Sequence, residues 1–135
     1  MKKFSLSIVV TTALACGVAQ ADPYDTAILQ GLDKVTARVS TIEAPLGDTV
    51  KFGALEIIVR ACDKRPPEET PESAAFLDIW EVRPGEPAVS AYRGWMFASS
   101  PALSALEHPV YDVWVLDCAN TASTESQESS GETSQ

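Results

Sequence analysis

From Lys34 to Cys118 the chain is written in short runs in which apolar residues recur at every second position, each run cut by Pro or Gly. A period of two puts successive side chains on opposite faces of a strand, and Pro/Gly clusters end pairing, so such a stretch folds as antiparallel β structure. Val35, Ala37 and Val39 alternate with Thr36, Arg38 and Ser40, and Pro45-Leu46-Gly47-Asp48 is turn chemistry. Thr49–Phe52 and Leu55–Cys62 read as the next strands, with Gly53 as a bend between them. In the second, Leu55, Ile57, Val59 and Ala61 share one face, while Glu56, Ile58, Arg60 and Cys62 share the other. Ser73–Arg83 and Ala88–Arg93 form a hairpin around Pro84-Gly85-Glu86-Pro87. Val110–Cys118 closes the domain, with Tyr111, Val113, Val115 and Asp117 opposite Val110, Asp112, Trp114, Leu116 and Cys118. Ser99–Glu107 is the one helical fragment: Ser100 sits at a cap position, Pro101 at the first helical position, and His108-Pro109 stops it. The expected fold is a small all-β antiparallel sandwich or barrel with one short helix.

The ends are different material. Lys2 and Lys3, the uncharged apolar stretch Phe4–Val18 and Ala19-Gln20-Ala21 make a secretory leader cleaved after Ala21. The apolar stretch is short of the roughly 20 residues that a membrane span needs. Two other readings stay open: lipidation at Cys16, since Leu14-Ala15-Cys16 resembles a bacterial lipoprotein box, and an uncleaved N-terminal anchor. Residues 22–31, punctuated by Gly31, read as a lead-in or loose helical turn before a β domain over 32–118. Residues 119–135 are mostly Ser, Thr, Glu, Gln and Gly with no large apolar side chain, and are expected to be disordered.

The 135 residues carry 10 Lys and Arg against 19 Asp and Glu, a net charge of -9. Removal of the leader leaves 8 against 19, or -11. Such an acidic chain is a poor match for a phosphate backbone, so no nucleic-acid partner is expected. Processing also leaves two cysteines of three, Cys62 and Cys118. In an exported protein such a pair reads as a disulfide, here closing a loop of 57 residues. Chain entropy alone makes that bond worth about 4 kcal/mol. No close cysteine pair of the kind structural zinc uses is present, so neither a metal nor a cofactor is expected.

His108 is the only histidine, and Ser99, Ser100, Ser104, Glu107 and Asp112 lie near it along the chain. A hydrolase would need a serine and an acid to converge on it, and there is no G-x-S-x-G elbow. The alternative has the serines as caps and His108 as a turn residue, and no catalytic residue is assigned. His108 and two segments are candidates for contact with a partner. Arg65-Pro66-Pro67-Glu68-Glu69 is charged and stiffened by proline, which lowers the entropy lost on docking. Trp95-Met96-Phe97 is a compact apolar cluster. Trp80, Trp95 and Trp114 belong either to the core or, if exposed, to a ligand- or cell-wall-binding surface.

Longer strings carry a resemblance. Arg65-Pro66-Pro67-Glu68-Glu69, Pro71–Leu77, Gly94–Leu103 and Leu106–Trp114 resemble the alphaproteobacterial domain-of-unknown-function family 2155, with the two cysteines flanking these blocks as they do there. The resemblance covers residues 32–118. It implies an exported envelope protein without assigned activity or catalytic residues. It also implies a partner, because family members are often encoded beside an accessory subunit of respiratory complex I. The resulting expectation is a non-catalytic periplasmic protein-binding domain, an accessory or assembly subunit of that complex. The alternatives are a small envelope hydrolase using His108 and a module that binds ligand or cell wall through its tryptophans.

Overall fold

The structure, a computed structural model, describes residues 22–121. The predicted leader with Cys16, and residues 122–135 of the predicted tail, lie outside that range. In chain order the strands are β1 (Asp22–Pro23), β2 (Thr26–Asp33), β3 (Arg38–Pro45), β4 (Thr49–Phe52), β5 (Leu55–Lys64), β6 (Ser73–Glu81), β7 (Val89–Phe97) and β8 (Tyr111–Ala119). Five of them form one antiparallel sheet, in which β5, β6 and β7 are neighbours and both β1 and β4 pair with the remaining edge of β5. The other sheet has the order β3-β2-β8. The expected all-β antiparallel sandwich is what forms. No helix among the described residues is long and apolar enough to cross a membrane.

The core lies between the sheets. Leu29, Ile42, Val113 and Val115 come from the small sheet; Leu55, Ile57, Val59, Leu77, Ile79 and Met96 come from the large one. Strict alternation would put Cys62 on the opposite face from Val59, and Cys118 opposite Val115. Both cysteines are nevertheless buried among these residues. The reason is a pair of β-bulges. Val59 faces Leu77 and Ala61 faces Phe76, which leaves Arg60 as an extra residue. Likewise Ile28 faces Asp117 and Leu29 faces Val115, which leaves Leu116 extra. One extra residue reverses the side on which everything after it points. Cys62 and Cys118 thereby turn inward and join β5 to β8 through a disulfide with Cα atoms 5.8 Å apart.

The chain from 22 to 40 departs from the expectation. The supposed lead-in is the strand β2, and the strand expected from Lys34 begins only at Arg38. Lys34–Ala37 is the turn between them, closed by Asp33 Oδ1, which accepts the N–H groups of Val35 and Thr36. Ala37 takes φ 56° to complete it. Gly31 is no punctuation mark but an inward position of β2: a Cβ there would lie 2.7 Å from the Phe52 ring. The folded unit also extends past Cys118. Asn120 and Thr121 are tied to Asp25, whose carboxylate accepts the Thr121 amide at 3.0 Å and hydroxyl at 3.0 Å.

The expected helix is reduced to a single 3-10 turn, Pro101–Leu103, and Ser100 makes no side-chain cap bond. The segment from Ala98 to Val110 has to run from the end of β7 to the start of β8. Leu106, 3 % exposed, pins it into the core on the way, which a continued helix would not allow. At the free edge of β7, Tyr92 donates its hydroxyl hydrogen to the Trp95 carbonyl at 2.9 Å. Gly94 leaves room for that hydroxyl, 3.3 Å from where its Cβ would be. An edge carbonyl that would otherwise be open to another strand is thus covered from within the chain.

Candidate functional site

The solvent side of the five-stranded sheet is an aromatic face. Register places Ala61, Phe76 and Trp95 in one row across β5, β6 and β7, with Asp63, Ala74 and Phe97 in the next. On the other side of the aromatic row stand Ile58, Asp78 and Arg93, and beyond them Glu56, Trp80 and Ser90. Phe76 and Trp95 meet edge to face with ring centroids 5.6 Å apart. Trp95 is 39 % exposed, while Phe76, Trp80 and Phe97 are half-buried. None of the three tryptophans is in the core, because the inward positions of each strand are taken by smaller aliphatic residues that interdigitate between two close sheets. Arg60, re-aimed by its bulge, reaches across to Asp78 with Nη2 to Oδ2 at 3.4 Å.

Trp95 and Phe97 therefore lie on this face, but Met96 between them does not. It points inward and is 1 % exposed, a core residue rather than a contact residue. The charged segment sits at one end of the same sheet, as the loop of the β5–β6 hairpin. The Arg65 amide donates to the Glu72 carbonyl and the Glu69 amide to the Pro66 carbonyl, so Arg65, Pro66, Pro67, Glu68 and Glu69 form a closed, ordered turn. Glu72 accepts both the amide and the hydroxyl of Ser99, which ties the loop to the chain leaving β7. Burial raises the Glu72 carboxyl, but the Ser99 donors, the Ser73 amide and Arg65 together prevail and hold it below the ordinary glutamate value. The loop that carries the charged segment is thus joined, through Glu72, to the chain two residues beyond Phe97.

His108 is elsewhere and is 8 % exposed, so it is no contact residue either. It caps the opposite end of the core. Its Nδ1 accepts the amides of Val110 at 3.0 Å and Tyr111 at 3.2 Å, which places the ring proton on Nε2, 3.3 Å from Glu81 Oε1. With Nδ1 occupied by backbone and Nε2 turned to Glu81, neither nitrogen is presented to a serine. Ser99, for its part, is bonded to Glu72 rather than to His108. His108 and Ser99 thus do not pair as the base and nucleophile of a serine hydrolase would. Among the described residues no group of three His, Cys, Asp or Glu is placed to hold a metal ion.

Trp114 belongs to the small sheet and lines a groove of about 260 Å³ with Pro101, Ala102, Ala105, Asp112 and Val113. That is less than the roughly 300–1,000 Å³ of pockets that enclose a drug-sized ligand.

A family model described as an uncharacterized protein conserved in bacteria, DUF2155, matches residues 27–118. The chain belongs to the DUF2155 family. The matched stretch opens at Ala27 and closes at Cys118, two residues that face each other in register between β2 and β8. Apart from β1, Thr26 and Ala119, it therefore contains the strands of both sheets, with the disulfide and the aromatic face. An uncharacterized protein of Rickettsia prowazekii (strain Madrid E) is 29 % identical over 100 residues, which cover 74 % of this chain and 64 % of that protein. The chain thus spans less than two thirds of the relative's length. No solved structure matches it.

Within this DUF2155 domain the residue that sequence reasoning passed over is Asp78. It lies in Phe76-Leu77-Asp78-Ile79-Trp80, and the alternation there already puts it on the side of Phe76 and Trp80. A lone acid between two aromatic residues on one face was the available signal.

Proposed function

We propose that this DUF2155 domain is a non-catalytic protein-docking module of the bacterial cell envelope, exported to the periplasm and serving as an accessory or assembly factor of respiratory complex I. The observation that carries the docking role is the solvent-side row of Phe76 and Trp95, extended by Trp80 and Phe97 on a rigid sheet. Aromatic residues and arginine are the side chains that concentrate binding energy at protein interfaces, and here both stand on one face. The leader and the pair of bridged cysteines support export. The choice of complex I rests on the gene neighbourhood that the family resemblance implies.

The test is affinity capture of the tagged full-length protein from detergent-solubilised membranes, with crosslinking and mass spectrometry, alongside a Trp95→Ser variant. Complex I subunits should be recovered with the native protein and lost with the variant. Recovery of soluble monomer alone, together with normal respiratory complexes in a deletion strain, would overturn the assignment.

A further inference from the structure

Asp78 stands on the solvent side of β6, between Leu77 and Ile79, which both point into the core, yet it is only 3 % exposed. On its own strand the neighbours on that face are Phe76 and Trp80, and Trp95 packs edge-on against Phe76. Its Oδ2 has one contact, Arg60 at 3.4 Å, longer than the roughly 2.7–2.9 Å of a good charge-assisted hydrogen bond. Its Oδ1 is buried and has no hydrogen-bond partner. Arg93 lies directly opposite in register but forms no ion pair with it. A buried carboxylate oxygen without a donor destabilises a fold, and nothing among the described residues supplies one.

We infer that Asp78, flanked by Phe76, Trp80 and Trp95, is an acceptor site for a lysine or arginine side chain presented by the partner protein, an inference that rests on the docking role proposed above. Aromatic rings attract an organic cation through their negative faces, and a carboxylate among them supplies the counter-charge. Arg60 already demonstrates the chemistry from within the chain. The bulge turns it over Asp78, but its guanidinium touches one oxygen only and its side chain is 51 % exposed, so it is readily displaced outward. Without the leader the chain carries -11, and the long-range field of that excess favours the approach of a basic segment over an acidic one. An acidic or purely apolar segment would bury Asp78 further without giving Oδ1 a donor.

The test is an NMR titration of the full chain with capped Gly-Arg-Gly and Gly-Lys-Gly peptides, with capped Gly-Glu-Gly as control. The basic peptides should shift the indole N–H signals of Trp80 and Trp95 saturably, and leave that of Trp114, on the other sheet, in place. Asp78→Asn should weaken that binding at least tenfold without lowering the melting temperature, since it removes an unsatisfied charge. Arg60→Gln should tighten it several-fold, because the internal competitor is gone. Equal shifts with the glutamate peptide, unchanged binding by Asp78→Asn, or weaker binding by Arg60→Gln would each overturn the cation site. In the membrane capture, loss of partner by Trp95→Ser but not by Asp78→Asn would refute the cation site and leave the docking role intact. Peptide binding that persists while neither variant alters capture would refute the docking role instead.

Discussion

Cys62 and Cys118 each lie two residues beyond the extra residue of a β-bulge, Arg60 in one strand and Leu116 in the other. The bridge between the sheets exists because the two strands make the same correction at the same distance from their cysteines. Replacing both with Ser should therefore cost about 4 kcal/mol for the 57-residue loop. Either single replacement loses the same cross-link but buries one new hydroxyl instead of two, so it should cost no more than the double replacement. Urea denaturation of the oxidised protein and the three variants checks the order.

The Tyr92 hydroxyl guards the free edge of β7 through the Trp95 carbonyl. Tyr92→Phe keeps the ring and removes the guard. The expected result is a small loss of stability, about 1 kcal/mol, accompanied by concentration-dependent association in sedimentation velocity. A variant that stays monomeric at high concentration would show that the edge is protected by something else.

Gly53 and Gly85 both have positive φ, 57° and 76°, but in different surroundings. A Cβ on Gly85 meets nothing, whereas a Cβ on Gly53 would collide with the ring and hydroxyl of Tyr111, which also accepts the Ala54 amide at 3.3 Å. Gly85→Ala should cost roughly 1–2 kcal/mol, the left-handed penalty alone. Gly53→Ala adds overpacking and should cost roughly 2–5 kcal/mol. Thermal unfolding of the pair separates backbone strain from steric conflict.

Asp117 closes the other end of the core, with Lys64 Nζ at 2.9 Å and the Ser73 hydroxyl at 3.1 Å. Burial raises its carboxyl, but Lys64, the Cys118 amide and Ser73 together prevail and hold it below the ordinary aspartate value. A carboxyl lowered by folding stabilises the protein above its unfolded value, about 3.9, and that contribution disappears as pH falls through the folded value. The stability difference between the native chain and Asp117→Asn should thus be constant above about pH 5 and shrink toward pH 2. Chemical denaturation at a series of pH values measures it.

Much of this was legible in the residues. Pro45-Leu46-Gly47-Asp48 and Pro84-Gly85-Glu86-Pro87 mark turns where turns occur, and Ser73–Arg83 is an inner strand of its sheet to within two residues. The alternation failed where the backbone breaks its own period. Arg60 and Leu116 look like ordinary strand residues, and only pairing with the neighbouring strand shows that they are surplus. Gly31 looked like an interruption because its purpose, space for the Phe52 ring, lies 21 positions away. The aromatic face was half visible: Trp95 and Phe97 were singled out, but their rows with Phe76 and Ala74 are a product of register. His108 was misleading because a lone histidine among serines suggests chemistry, while here it serves two backbone amides.

The clasp of Asp25 on Thr121 has a practical side. It holds the last described residues beside β1 and the start of β2, so the chain enters and leaves at the same end of the sandwich, next to the bridge. The broad face with Phe76, Trp80 and Trp95 runs along the flank. A tether, a fusion or an affinity handle joined directly at Asp22 or Thr121 would therefore start from the base of the domain rather than from that flank.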